Sequence, residues 1–148
     1  MNHQTVDQVR TVAVVHAVPQ MSSRERLEYW AGLLGREPER RLSTLHQTEI
    51  RDAPAREAMR GDNSPISVAF ADPVLRAQGL AGDTYGDARR FFDVSDRQLH
   101  NILCYCHFGE SMSARAASQA ILRVIAAKDR PGMFTRLRQS LSAWRHGA

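Results

Sequence analysis

The fold class is decided by two neighbouring stretches, SDRQLHNILCYCHFG at residues 95–109 and SARAASQAILRVIAA at residues 113–127. Ser95 and Gln98 have capping-box spacing, in which two side chains satisfy backbone amides at a helix start. Apolar residues then recur every three or four positions, which is typical of helices that bury one face. The pattern predicts two amphipathic helices separated by Gly109. Their predicted apolar faces are Leu99, Ile102, Leu103 and Cys106 in the first helix, and Ala114, Ala117, Ile121, Val124 and Ile125 in the second.

Similar helix signals lie toward the N-terminus. Ser22 with Glu25 is a second capping box, and residues 87–92 predict a helical turn that carries Phe91 and Phe92 into the core. Three short helices are predicted by a capping residue near a proline. An N–H in the first helical turn has no acceptor within the helix, so proline, which lacks this N–H, is tolerated there. The three pairs are Asp52 with Pro54, Ser64 with Pro65, and Asp72 with Pro73.

Strand signals are sparse in this chain. Residues 12–18 contain a short β-branched run, and periodicity does not distinguish a strand from a buried helical turn there. Leu42 and Leu45 have helical spacing and predict another helix. We therefore predict an all-α fold, a compact bundle of roughly six to eight short helices with a basic amphipathic C-terminal helix.

We divide the chain into three parts. The predicted parts are an N-terminal segment of undecided structure (1–20), a helical domain (21–129) and the basic C-terminal helix (130–148). The chain has 148 residues, of which 43% are hydrophobic and 24% charged. These values are typical of globular domains and disfavour disordered and disulfide-scaffold classes. No apolar run in the sequence approaches the length of a transmembrane helix.

Positive charge is concentrated at the C-terminal end. The formal net charge is +4, and Lys128 is the one lysine among the basic residues. Residues 110–148 contain seven basic and two acidic residues, a formal charge of +5, whereas residues 1–109 carry −1. This asymmetry indicates an anionic partner for the C-terminal end. The alternative is a surface that is charged for solubility.

A cluster of nitrogen and sulfur donors lies in the first helical stretch. His100, Cys104 and His107 follow i, i+4, i+7 spacing, which places them on one face of a continuous helix. These donors suit Zn²⁺, so one hypothesis is a metal or redox site, with His46 as a fourth ligand. The alternative is structural, with Cys106 a small core residue and Cys104 at the edge of the apolar stripe. On a helix the two cysteines would point apart, so no disulfide is expected.

The second stretch carries a polar stripe formed by Arg115, Gln119 and Arg123. With the preceding helix at 95–107 and a link at 109–112, it outlines a helix-turn-helix-like pair. Arginine and glutamine are the side chains that make bidentate contacts with guanine and adenine edges. Nucleic-acid binding through residues 95–127 is therefore an alternative function. A solvated helix face in an ordinary bundle gives the same outline.

The C-terminal helix, predicted over residues 133–146, supports our first functional hypothesis. Its apolar face, flanked by arginines, suits a protein groove, whereas we do not expect peripheral contact with an anionic membrane. We predict a small non-catalytic regulatory or adaptor protein that acts through a protein partner or as a homodimer. The predicted partner-binding residues are Phe134, Arg138, Leu141 and Trp144.

Catalytic and targeting signals are missing from the sequence. Nucleotide-binding loops, the GxSxG elbow and the HExxH zinc motif do not occur, so we expect neither an enzyme nor a cofactor. The N-terminal stretch lacks the charged region of a signal peptide. Two reduced thiols are typical of proteins in the reducing cytoplasm. We therefore expect a cytoplasmic protein.

Overall fold

The computed structural model describes residues 18–46 and 52–130. Within these ranges the chain forms eight helices and one small antiparallel sheet, so the mostly helical prediction is confirmed and the sheet is an addition to it. In chain order the elements are α1 (Ser23–Gly35), β1 (Arg41–Ser43), α2 (Ala53–Glu57), α3 (Pro65–Ala71), α4 (Pro73–Ala77), α5 (Tyr85–Phe91), α6 (Asp96–Leu103), α7 (Tyr105–Phe108), β2 (Ser111–Ser113) and α8 (Ala114–Lys128).

The predicted helix starts are confirmed by their caps. The Ser22 backbone amide donates to the Glu25 carboxylate at 2.7 Å, and the Glu25 amide donates to the Ser22 hydroxyl. Ser95 and Gln98 form the same reciprocal pair at the start of α6. Ser113 caps the start of α8, where its hydroxyl accepts from the Ala116 amide. The other predicted capping residues also begin their helices: Asp52 for α2, Ser64 for α3 and Asp72 for α4.

The core is organised by the packing of α1 against α8. The small side chains of Ala31 in α1 and Ala117 in α8 are buried, and the Ser118 hydroxyl of α8 donates to the Ala31 carbonyl at 2.9 Å. Trp30 of α1 is fully buried and stacks on Phe92 with ring centroids 4.3 Å apart. Its indole N–H donates to the Pro65 carbonyl at 2.9 Å, so the one polar atom of this large side chain is satisfied.

The predicted helix around Leu42 and Leu45 is wrong. Residues 41–43 form β1, which pairs antiparallel with β2 and places Leu42 opposite Met112. Both leucines are buried, which explains their apolar character, but they are buried from an extended segment. Periodicity over so few residues does not separate the two conformations. The deciding partners are distant in sequence, since the strand bonds to β2 some 70 residues later.

The predicted continuous helix over 95–107 is also wrong. α6 ends at Leu103, and Cys104 has an extended backbone with ψ 135° before α7 begins. At this break the Leu45 amide donates to the Leu103 carbonyl at 2.9 Å, and the Tyr105 amide donates to the Leu45 carbonyl at 3.0 Å. These bonds take the place of helical bonds at the break. The extended segment after β1 thus divides the helix.

Parts of the sequence predictions lie outside the described residues. Residues 1–17 of the N-terminal segment fall there, as does the predicted C-terminal helix with Phe134, Arg138, Leu141 and Trp144. The partner-binding role of those four residues therefore stays a prediction. Among the helices within 18–46 and 52–130, none has the length and apolar character needed to cross a bilayer.

Gly109 is required by its backbone conformation. It ends α7 with φ +73° and ψ −160°, a region open essentially to glycine alone. Gly109→Ala should therefore lower the free energy of unfolding by about 1–3 kcal/mol, measured by urea denaturation. Gly32 in α1 is the matched control, since a Cβ there also meets no neighbour and φ is not positive. Gly32→Ala should stabilise by about 0.5–1 kcal/mol. Equal effects of both substitutions would contradict this account.

Candidate metal-binding site

The break between α6 and α7 gathers one histidine and two cysteines. The ligating atoms of His100, Cys104 and Cys106 all lie within 4.8 Å of one another. The Cys106 Sγ is 2.7 Å from the Cys104 Sγ and 3.2 Å from the His100 Nε2. Within the described ranges this is the one group of three or more such side chains close enough to hold a single metal ion.

The local backbone explains how these side chains meet. His100 lies one turn before the end of α6, and its carbonyl accepts from the Cys104 amide at 2.9 Å. Cys104 then leaves the helical path and caps α7, so that its sulfur accepts from the Cys106 amide at 3.2 Å. A parallel bridge to Leu45 fixes the Cys104 backbone in this extended form. The cluster therefore depends on the break in the helix.

The structure places the predicted ligands differently from a continuous helix. His100 and Cys104 come together as predicted, but Cys106 joins them in the third position. His107 is exposed, and its ring lies edge-on to that of His100 with centroids 5.2 Å apart. His46, the predicted fourth ligand, stacks on Tyr105 at 4.3 Å.

Two expectations about the cysteines are wrong. Cys104 is fully buried and Cys106 is exposed, the reverse of the sequence interpretation. The two sulfurs face each other, whereas on a continuous helix they would diverge. Both errors follow from the single extended residue at position 104, which reorients the side chains after it. No helix breaker such as proline or glycine marks that position in the sequence.

Burial shifts the protonation of the cluster. It lowers the pKa of His100, with a smaller contribution from the charge of His107, and so favours the neutral imidazole that ligates metals. Burial also raises the pKa of Cys104 to about 11, helped by the neighbouring Cys106 thiol. A bound cation would offset this cost, because metal binding favours the thiolate.

The polar stripe of α8 has the predicted exposure. Arg115, Gln119 and Arg123 are all exposed, and the Arg115 guanidinium forms an ion pair with Glu39. Part of the basic charge is therefore neutralised within the chain. β2 begins within the link predicted at 109–112, and α7 follows the break in the helix predicted over 95–107. Nucleic-acid binding stays a prediction.

A groove lies beside His107. It has a volume of about 390 Å³ and lies between α8 and the end of α7, with His107 and Arg123 among its lining residues.

Comparison of the chain with protein-family models, curated proteins and solved structures gives no significant match. The functional assignment therefore depends on the geometry of the cluster.

The different burial of the two thiols predicts different reactivity. In the native, metal-free protein, iodoacetamide should alkylate Cys106 first, because this residue is exposed whereas Cys104 is buried. Cys104 should react fully once the protein is denatured. Peptide mass mapping at successive times measures both rates, and Cys106→Ser should remove the fast phase. Equal native rates for the two thiols would contradict the structure.

Proposed function

We propose that this protein binds one thiophilic transition-metal ion, with Zn²⁺ as the principal candidate, through His100, Cys104 and Cys106. The observation that carries the proposal is the convergence of their three ligating atoms within 4.8 Å. Two thiolates and one imidazole form a donor set that suits Zn²⁺ or Cu⁺ and disfavours Mg²⁺ or Ca²⁺, which prefer oxygen ligands.

The cluster needs a small adjustment to fit a tetrahedral ion. Zn–S bonds of about 2.3 Å place two ligating sulfurs about 3.8 Å apart. The sulfurs of Cys104 and Cys106 are 2.7 Å apart, so they must separate by about 1 Å. Cys106 is exposed and belongs to the four-residue helix α7, so the side chain on this side of the cluster has room to move. Cys104 is held in the core.

Three protein ligands leave a fourth coordination position. We assign it to water or to a side chain of a protein partner, because tetrahedral zinc sites with three protein ligands accept an exogenous fourth ligand. The exposed side of the cluster, at Cys106, is where such a ligand has access. This arrangement is compatible with the regulatory or adaptor role predicted from the sequence, with the ion as the contact between protein and partner.

Ligand variants test the assignment directly. His100→Gln and Cys106→Ser should each weaken Zn²⁺ binding by more than about 100-fold, above the 10–100-fold effect of residues outside the coordination sphere. The matched control is His107→Gln, which removes an exposed imidazole beside the cluster and should leave affinity within a few fold. Competition with a chromophoric chelator, on reduced full-length chain without a histidine tag, measures the affinities.

The control also separates the two ligand sets. Equal losses for His107→Gln and His100→Gln would favour the set read from a continuous helix, His100, Cys104 and His107. Failure of the wild-type chain to bind one equivalent of Zn²⁺ would refute the proposal. Cys106 is preferred to Cys104 as the test position because Cys106 is exposed, so its replacement leaves the core intact.

Metal binding should also stabilise the fold. An ion that binds only the folded state adds about 2.7 kcal/mol to the free energy of unfolding when its free concentration is 100 times Kd. Zn²⁺ should therefore raise the Tm of the reduced protein in a thermal melt. Cys106→Ser should abolish the increase while keeping a cooperative transition. A Zn²⁺-dependent increase of the same size in the variant would place the ion elsewhere.

A further inference from the structure

The two cysteines of the cluster are placed for chemistry with each other. Their sulfurs lie 2.7 Å apart, and a disulfide bond needs about 2.05 Å, so closure requires a movement of less than about 1 Å. We propose that Cys104 and Cys106 form a reversible intramolecular disulfide when a hydroperoxide reacts with the metal-free protein, and that this disulfide prevents metal binding. The second part of the inference rests on the proposed metal-binding function.

The backbone at position 104 makes the pair possible. Two cysteines one residue apart on a continuous helix direct their side chains away from each other. Here Cys104 is extended, with φ −71° and ψ 135°, and Cys106 lies in the first turn of α7. The Cys106 amide donates to the Cys104 sulfur, which holds the two side chains on the same side of the chain.

Accessibility assigns a role to each thiol. Cys106 is exposed, so a hydroperoxide in solution reaches its sulfur directly. Cys104 is fully buried and adjacent, so it is placed to react with an oxidised Cys106 and is shielded from the oxidant itself. An exposed reactive thiol next to a second cysteine that resolves the oxidised form is the arrangement of redox-sensing pairs.

The reaction balances with hydrogen peroxide as the oxidant. The Cys106 sulfur attacks one peroxide oxygen, the O–O bond breaks, and the other oxygen leaves with the thiol proton as water. Cys106 is then a sulfenic acid. The Cys104 sulfur attacks the Cys106 sulfur, the S–O bond breaks, and the hydroxyl group leaves with the Cys104 proton as a second water. Two thiols lose two electrons, and one peroxide gains them.

Formation of the disulfide between Cys104 and Cys106 removes two of the three metal ligands. Disulfide sulfurs carry no negative charge, and the thiolate is the form that ligates metals. Only His100 would remain, which is insufficient for a stable Zn²⁺ site. The ring closed by cysteines one residue apart is small, and strained or exposed disulfides are the readily reduced, regulatory ones. Reduction by a dithiol should therefore restore the site.

The test uses reduced, untagged, full-length protein in two arms. In the first arm, metal-free protein is treated with hydrogen peroxide and then with iodoacetamide under denaturing conditions. We expect an intact mass lower by two hydrogens (about 2 Da), no alkylation, and a cross-linked peptide containing Cys104 and Cys106. Dithiothreitol should restore two alkylatable thiols. In the second arm, oxidised protein should fail to bind Zn²⁺ until it is reduced.

Two variants accompany the wild-type chain. Cys106→Ser should give no internal disulfide, whereas His107→Gln, which keeps both thiols, should behave as the wild type does. Two alkylatable thiols after peroxide treatment, or cross-links only between chains, would overturn the disulfide inference. Unchanged Zn²⁺ binding by fully oxidised protein would overturn the proposed loss of metal binding.

The two proposals fail in different ways. Reduced protein that binds Zn²⁺ yet keeps both thiols after peroxide refutes the disulfide and leaves the metal site standing. Protein that forms the internal disulfide but binds no Zn²⁺ when reduced refutes the metal site, and with it the loss of binding, while the thiol pair stands.

Discussion

Two backbone hydrogen bonds of Leu45 hold the candidate metal-binding cluster in place. They join the Leu45 amide to the Leu103 carbonyl and the Tyr105 amide to the Leu45 carbonyl. Without these two bonds, the local sequence pattern favours a helix that continues from α6 through the two cysteines. An extended segment from elsewhere in the chain therefore decides the conformation of Cys104, and Cys104 decides which side chains can converge.

The turn just before this extended segment organises the start of α8. The Ala114 amide donates to the Arg40 carbonyl, and the Arg115 amide donates to the Pro38 carbonyl, so early α8 amides are satisfied by the chain just before β1. The Thr44 hydroxyl donates to the Gly109 carbonyl at the end of α7. Residues 38–46 thus bond to α6, α7, β2 and α8, four elements that follow one another in sequence but lie far from this segment along the chain.

Sequence reasoning succeeded where structure depends on near neighbours. Capping residues, proline at a helix start and the apolar face of α8 are local signals, and each identified its helix. It failed where a distant partner overrides local preference, at β1 and at the break after Leu103. The candidate site shares this limit. His100 and Cys104 were found by helical spacing, but Cys106 was missed because its convergence requires Leu45, nearly sixty residues earlier.

The attachment of the cluster to Leu45 has a thermodynamic consequence. An ion held by Cys104 and Cys106 would favour the extended conformation of Cys104, and so would oppose local opening of the pairing with Leu45. Metal binding at the two cysteines and pairing of Cys104 with Leu45 would then be linked, and each would stabilise the other by the same free energy. Metal binding by the sulfurs of Cys104 and Cys106 would therefore slow hydrogen exchange at the backbone amides of Leu45 and Tyr105, although neither residue contacts the ion through its side chain.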